Sequence, residues 1–174
     1  MGTAAKTPIG VFILVIWVMG CAPVSLQQGR GYLANGEYHQ AVDALTNALN
    51  EAPDNPEIHR DLGIAYYKTG QYEQALAELT KAKRQLKKDS RLTFYLGLIY
   101  EQSGQYAKAI AEYANYTRLS RFSPMRRQIQ QRMKWLTQQE AAQWAKTRLA
   151  IENSIDVASL PDHTIAVTYF QPLN

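Results

Sequence analysis

Glycine and tyrosine return at one fixed interval through the middle of this chain. Gly29, Gly63 and Gly97 are 34 residues apart, and so are Tyr32, Tyr66 and Tyr100. Gly36, Gly70 and Gly104 keep the same step, as do Tyr38, Tyr72 and Tyr106, and Ala41, Ala75 and Ala109. Helical periodicity alone does not hold five positions over three copies. Within one copy, Leu62, Ala65 and Tyr66, then Tyr72, Ala75, Leu76 and Leu79, recur at three and four residues, which predicts two amphipathic helices. Gly70 falls between them, where a helix end can take positive φ. Gly63 and Ala75 are small enough for the two helices to cross closely. One such hairpin cannot bury its apolar face alone, so neighbouring copies must stack. The repeated Gly and Tyr positions are therefore packing residues and carry no chemistry.

A 34-residue period with the pattern G-x-x-Y-x-x-x-G-x-Y-x-x-A resembles the tetratricopeptide repeat family. The best copy runs from Pro56 to Asp89, with Leu62, Gly63, Tyr66, Gly70, Tyr72, Ala75, Leu79 and Ala82 where the family pattern puts them. The resemblance implies an all-α solenoid of three repeats, over residues 22–55, 56–89 and 90–123. The first copy is degenerate, with Gln28 where the others have Leu62 and Leu96, and a second glycine, Gly31, in its first helix. Asn55-Pro56 reads as a helix cap followed by a proline start. In the third copy Tyr113 and Tyr116 replace the smaller Leu79 and Ala82, which predicts that they receive the helix that follows.

In this family the first helix of each repeat lines a concave groove that holds a peptide. Carried onto this sequence, the implied lining is Arg30, Leu33, Arg60, Ile64, Tyr67, Arg91, Phe94, Leu98 and Glu101. That mixture suits a peptide with apolar anchors and some acidic character. The Lys/Asn clamp of chaperone-tail binders is not matched, because Leu26, Arg30 and Asp61 occupy its positions. Reversing Arg60 and Arg91 to Glu is expected to abolish capture without loss of stability. The competing expectation is a groove filled by the protein's own terminal segment.

Beyond the repeats, Ser123-Pro124 opens a further pattern in which Met125, Ile129, Met133, Leu136, Trp144 and Ile151 recur at helical spacing. It lacks the repeat's glycines and tyrosines, so residues 124–152 are expected to be one long capping helix. Thr137 and Glu140 have the spacing of a capping box that would split it. Its polar face carries Arg126, Arg127, Arg132, Lys134, Lys146 and Arg148. Residues 153–163 read as a linker. Thr164 to Phe170 is β-branched and aromatic, a strand by composition, with no partner of like composition in the chain. This tail resembles the opening strand of curli-transport (CsgG-type) and TolB-amino-terminal-type domains, which would make it the start of a further domain.

The amino terminus has another character. Lys6 is the only charge before an apolar run from Ile9 to Met19. That length suits the core of a signal peptide over residues 1–20 better than a membrane span. Val18-Met19-Gly20-Cys21 resembles the bacterial lipobox, although Met19 departs from the small residue usual there. The resemblance implies lipidation of Cys21, with a diacylglycerol on sulfur and an acyl chain on the new amine. Ala22, in place of Asp, implies the periplasmic face of the outer membrane. Cys21 is the chain's only cysteine and cannot form an internal disulfide. The alternative is an uncleaved anchor, since no charge occurs from Thr7 through Gly29.

Charge is unevenly spread although the net value is only +4. Residues 21–80 carry 3 basic and 8 acidic residues, while 81–148 carry 15 basic and 4 acidic. Such polarity orients a protein toward a charged partner or surface. His39, His59 and His163 have no metal-ligand spacing. No phosphate loop, nucleophile with base, or nucleic-acid motif is present. The sequence thus predicts no cofactor, no metal, no catalysis and no nucleic acid. It predicts a membrane-anchored adaptor that binds a protein or peptide ligand in the cell envelope. The second reading is an accessory of an envelope secretion or assembly system, in which the array positions a curli-transport-like domain.

Overall fold

The computed structural model describes residues 23–154. Lipidation at Cys21 and the strand-like run at 164–170 lie outside the described residues. Among the described residues every regular element is helical: α1 (Val24–Asn35), α2 (Tyr38–Glu51), α3 (Pro56–Lys68), α4 (Tyr72–Lys83), α5 (Ser90–Gln102), α6 (Tyr106–Leu119) and α7 (Arg126–Ser154). Helices α1 to α6 pair as three antiparallel hairpins, and α7 packs on α6.

The period appears in space as two devices. The first is the turn: Gly36, Gly70 and Gly104 have φ of 80°, 79° and 70°. At Gly70 the backbone reverses through the left-handed region, which side-chain-bearing residues enter only at a cost. The second device is the close crossing inside each hairpin. A Cβ on Gly29, Gly63 or Gly97 would lie 2.5, 2.7 or 2.5 Å from Leu45, Leu79 or Tyr113. The third repeat thus accepts a tyrosine where the others have leucine, because the facing residue is again glycine.

Caps fix where the inner helices begin. The Asn55 side chain accepts a hydrogen bond from the Glu57 amide at 2.9 Å, with Pro56 as first helical residue. Asp89 does the same for α5, accepting from the Leu92 amide at 3.0 Å. Each satisfies an amide that the helix itself leaves unpaired. Despite two glycines, α1 forms, because Leu26 and Gly29 are buried against α2.

The core is a row of clusters that each cross a hairpin boundary. Leu26, Leu45, Ile58 and Leu62 join α1, α2 and α3. Ile64, Leu79, Leu92 and Leu96 join α3, α4 and α5. Tyr113, Tyr116, Ile129 and Leu136 join α6 to α7. No hairpin completes its core without the next, as stacked repeats require. Tyr113 and Tyr116 receive α7 as the sequence predicts. The α7 helix runs unbroken through Thr137, whose hydroxyl donates to the Met133 carbonyl within the helix instead of capping a new one. Past Glu140 its residues from 141 to 151 are exposed, Trp144 among them at 69%.

Candidate functional site: the concave groove

The inner helices α1, α3 and α5 lie side by side, and their shared face forms a hollow of about 640 Å³. Five of the sequence-predicted residues line it: Arg30, Leu33, Arg60, Ile64 and Arg91. Tyr38, Glu57, Asp61, Lys68 and Tyr95 complete most of the remaining wall. Apolar surface comes from Leu33, Ile64 and the tyrosine rings, and charge from three arginines, a lysine and two carboxylates.

The charges are ordered into a chain of ion pairs across the groove floor. Arg30 reaches from α1 to α3, with its Nη2 2.6 Å from Glu57 and its Nε 2.7 Å from Asp61. The other oxygen of Asp61 takes the Arg60 Nε at 2.7 Å. Arg60 then reaches Asp89, the cap of α5, at 2.7 Å. One relay of alternating charge thus ties α1 to α3 and, through the Asp89 cap, to the start of α5. Asp61 is 1% exposed and Arg60 5%, so the pairs sit where unpaired charges would be very costly. For the Arg60 guanidinium, burial works against the charge, but the carboxylates of Asp61 and Asp89 outweigh it and raise the pKa further above its ordinary range. For Asp89, burial pushes the carboxyl up, but the Leu92 amide and Arg60 overcome it and hold it below the ordinary range.

This relay corrects the part expected of Arg60. Arg60 is not a groove cation waiting for a ligand: both ends of its guanidinium are engaged, and reversal to Glu would place three carboxylates together in a buried site. Contrary to the sequence-based expectation, Arg60→Glu is therefore destabilising. Arg91 and Lys68 differ from it. Both are exposed, and neither forms an ion pair or hydrogen bond through its side chain among the described residues. The Lys68 Nζ lies 5.6 Å from the Tyr38 ring centre and 5.9 Å from that of Tyr95, a cation between two aromatic faces.

The remaining predicted residues are drawn into internal packing. Tyr67 stands between Tyr72 and Tyr95, with ring centres 5.6 and 5.3 Å away. Burial first, then these neighbouring hydroxyls, raise its phenol pKa. Phe94 packs on Tyr95, Tyr113 and Tyr116. Leu98 joins the cluster that contains Ile129 and Leu136 of α7. Glu101 accepts from the Tyr113 hydroxyl at 2.9 Å and from the Arg132 Nε of α7 at 2.7 Å. Among the described residues, α7 occupies the third-repeat end of the groove, where Glu101 holds it, and leaves the hollow from α1 to α5 open; filling by the terminal segment after residue 154 lies outside the described residues. Sequence reasoning did not assign Glu57, Asp61, Lys68, Asp89 or Tyr95 to this site. The signal available was Asp61 beside Arg60, opposite charges in sequence on a helix face that otherwise packs.

Among the described residues, no group of three His, Cys, Asp or Glu side chains could hold a metal ion. None of their helices is long and apolar enough to cross a membrane.

Comparison with known proteins places this geometry. No curated protein matches the chain by sequence. The first TPR of Spaghetti (RPAP3), bound to the HSP90 peptide SRMEEVD, superposes with TM-score 0.61 and 18% identity, over 69% of this chain and 93% of that one. The TPR2B domain of yeast Sti1, in a pHsp70 complex, gives 0.58 and 19%, over 66% and 94%. The Yersinia enterocolitica type III secretion translocator chaperone SycD gives 0.60 and 15%, over 67% and 83%. At these identities the likeness is one of fold. Two family models, each described as tetratricopeptide repeat, match residues 32–93 and 94–122, together just over half of the chain. With the 34-residue period, the glycine turns and the stacked hairpins, they show that the chain belongs to the tetratricopeptide repeat family.

Proposed function

We propose that this protein is an adaptor that captures an extended, acidic peptide segment of a partner protein in the groove between α1 and α5. The observation that carries this reading is that two exposed cations outside the ion-pair relay, Arg91 at the start of α5 and Lys68 at the end of α3, line a hollow whose apolar walls include Leu33, Tyr38 and Tyr95. A peptide carboxylate beside either cation would gain charge-assisted hydrogen bonds. Apolar peptide side chains beside it would cover Leu33 and the rings of Tyr38 and Tyr95. The ion-pair relay below holds the floor in place, so little ordering remains to be done on binding. In structures of like fold RPAP3 is bound to an HSP90 peptide and Sti1 is in a pHsp70 complex, which supports the class of ligand. The adaptor is proposed to sit in a bacterial envelope, held by lipid on Cys21.

The test is selection of binders from a random peptide library on the full chain, followed by affinity measurement on a Lys68→Glu, Arg91→Glu variant. Acidic peptides with one or two apolar residues are expected, weakened at least about tenfold by the double reversal, since each lost charge-assisted bond contributes on the order of 1.5–3 kcal/mol. Selected peptides that bind the double variant equally well would remove the groove as the site.

The second reading, an assembly accessory positioning a further domain, is favoured by the exposed half of α7, which precedes in sequence the linker and the segment resembling a curli-transport strand. A reading frame continuing past Asn174 with alternating strand and helix patterns would select it.

A further inference from the structure

The hairpins place all turns of one kind on one edge. The glycine turns at 36, 70 and 104 lie on one side, and the inter-repeat loops 52–55, 84–89 and 120–125 lie on the other, together with the starts of α1 and α7. Side-chain contacts confirm the arrangement. Ser25 at the start of α1 donates to Glu51 at the end of α2, at 2.8 Å. Arg126 at the start of α7 donates to the Thr117 carbonyl near the end of α6, at 2.5 Å.

This inter-repeat edge is unlike the rest of the surface. Phe122, at its tip, is 100% exposed, and Met125 beside it is also exposed. Arg84, Lys87, Lys88, Arg121 and Arg127 are exposed and make no side-chain ion pair or hydrogen bond among the described residues. The acidic residues nearest them are already engaged: Asp89 with Arg60, and Glu112 with Lys83. Of the exposed carboxylates of the edge, Glu51 and Asp54 stand at the first-repeat end, and Glu57, at the start of α3, is paired with Arg30.

We propose that the third-repeat end of this edge rests on an anionic lipid surface, with Phe122 entering the headgroup layer and Arg84, Lys87, Lys88, Arg121 and Arg127 facing lipid phosphates. A phenyl ring held wholly in water has more to gain from an apolar phase than any other group on this surface. Clustered Lys and Arg draw a protein to anionic headgroups, and their aliphatic stems lie along apolar surface while the charges stay in water. The cations are strung along two loops: Lys87 and Lys88 border one hollow, beside Glu57 and Asp89, and Arg127 borders another, so the five do not converge on a single hollow. That distribution fits a plane of mobile phosphates better than one folded partner. The described chain also begins on this edge at Pro23, close in sequence to the apolar run from Ile9 to Met19. Edge contact leaves the groove facing sideways and open, so this proposal stands whether or not the groove binds a peptide.

Flotation of the full chain does not decide the matter, because the apolar run can insert by itself. Hydrogen exchange does. The full chain is bound to neutral phosphatidylcholine vesicles and to vesicles of about one-third phosphatidylglycerol. Amides of loops 84–89 and 120–125 are expected to exchange about tenfold more slowly on the anionic vesicles, with the three glycine turns unchanged. An Arg121→Ser, Phe122→Ser, Arg127→Ser variant is expected to lose the protection, and its exposed positions leave the fold intact by circular dichroism. Equal exchange on both vesicles, protection at the glycine turns, or protection that survives in the variant overturns the proposal. Polyglutamate at matched charge is the third arm: if it protects both loops as well as the vesicles do, the partner is an acidic protein and the lipid assignment fails.

Discussion

Two arginines that look alike in the sequence occupy opposite situations. Arg60 is enclosed by Asp61 and Asp89, whereas Arg91 is exposed and acts on Asp89 only through a weaker Coulombic attraction, with no ion pair or hydrogen bond. Arg60→Glu is therefore expected to cost about 3–5 kcal/mol, because it leaves uncompensated buried charge. Arg91→Glu should stay within about 0.5 kcal/mol of the parent. Urea denaturation of the two single variants checks this, and equal midpoints would refute the structural part given to Arg60. Asp89 adds a dependence on pH. Folding favours its ionised form, since the Leu92 amide and Arg60 together outweigh burial. A carboxyl depressed on folding contributes stability that is complete above its unfolded-state pKa and is lost as pH falls through the folded-state value. Asp89→Asn keeps a capping side chain but has no proton to bind. Its stability is expected to fall less than that of the parent between about pH 5 and pH 2. Parallel stability curves over that range would show that Asp89 is not a stabilising carboxylate.

At the scale of elements, the two glycines of a helix interior do different things. Gly31 in α1 has nothing within 4 Å of an added Cβ. Gly31→Ala should thus stabilise by about 0.5–1 kcal/mol, the difference in helix propensity. At Gly63 the same methyl would lie 2.7 Å from Leu79 Cγ and 3.1 Å from its backbone nitrogen. Overpacking there costs about 1–3 kcal/mol and offsets the propensity gain. Thermal melts of the two variants should move in opposite directions. A rise in both would mean that the hairpins cross less closely than the geometry requires. The degenerate first copy is explained by the same comparison: Gly29 is kept against Leu45, while Gly31 weakens α1 with no packing return.

The molecule as a whole is graded along its length. The first repeats carry the acidic surface and the open groove, while the third repeat and α7 carry most of the basic side chains and close the groove's far end. A lipid anchor at the amino terminus and the basic loops of the inter-repeat edge would hold such a body at two points. The anchor is tested at its own residue. In bacteria that process lipoproteins, the parent chain is expected to be recovered with a diacylglycerol-modified amino-terminal Cys21, and Cys21→Ala is expected to remain uncleaved or be released. Mass spectrometry that finds an intact Met1 terminus on the parent would favour the uncleaved anchor.

The 34-residue period determined the hairpins, their turns and their crossing points by itself, because each depends on a residue with a local or nearest-neighbour requirement. Gly70 must take positive φ, Gly63 must admit Leu79, and Asn55 must cap the helix that Pro56 begins. The same logic placed Tyr113 and Tyr116 under the following helix. What the sequence left open were properties set by side chains distant in the chain. Arg60 and Arg91 differ only through Asp61, Asp89 and the depth at which each stands. Glu101 was assigned to the groove, yet it meets Arg132, 31 residues later. Ion pairing and closure of a groove depend on distances between helices, and a repeat pattern carries no information on those until the solenoid has stacked.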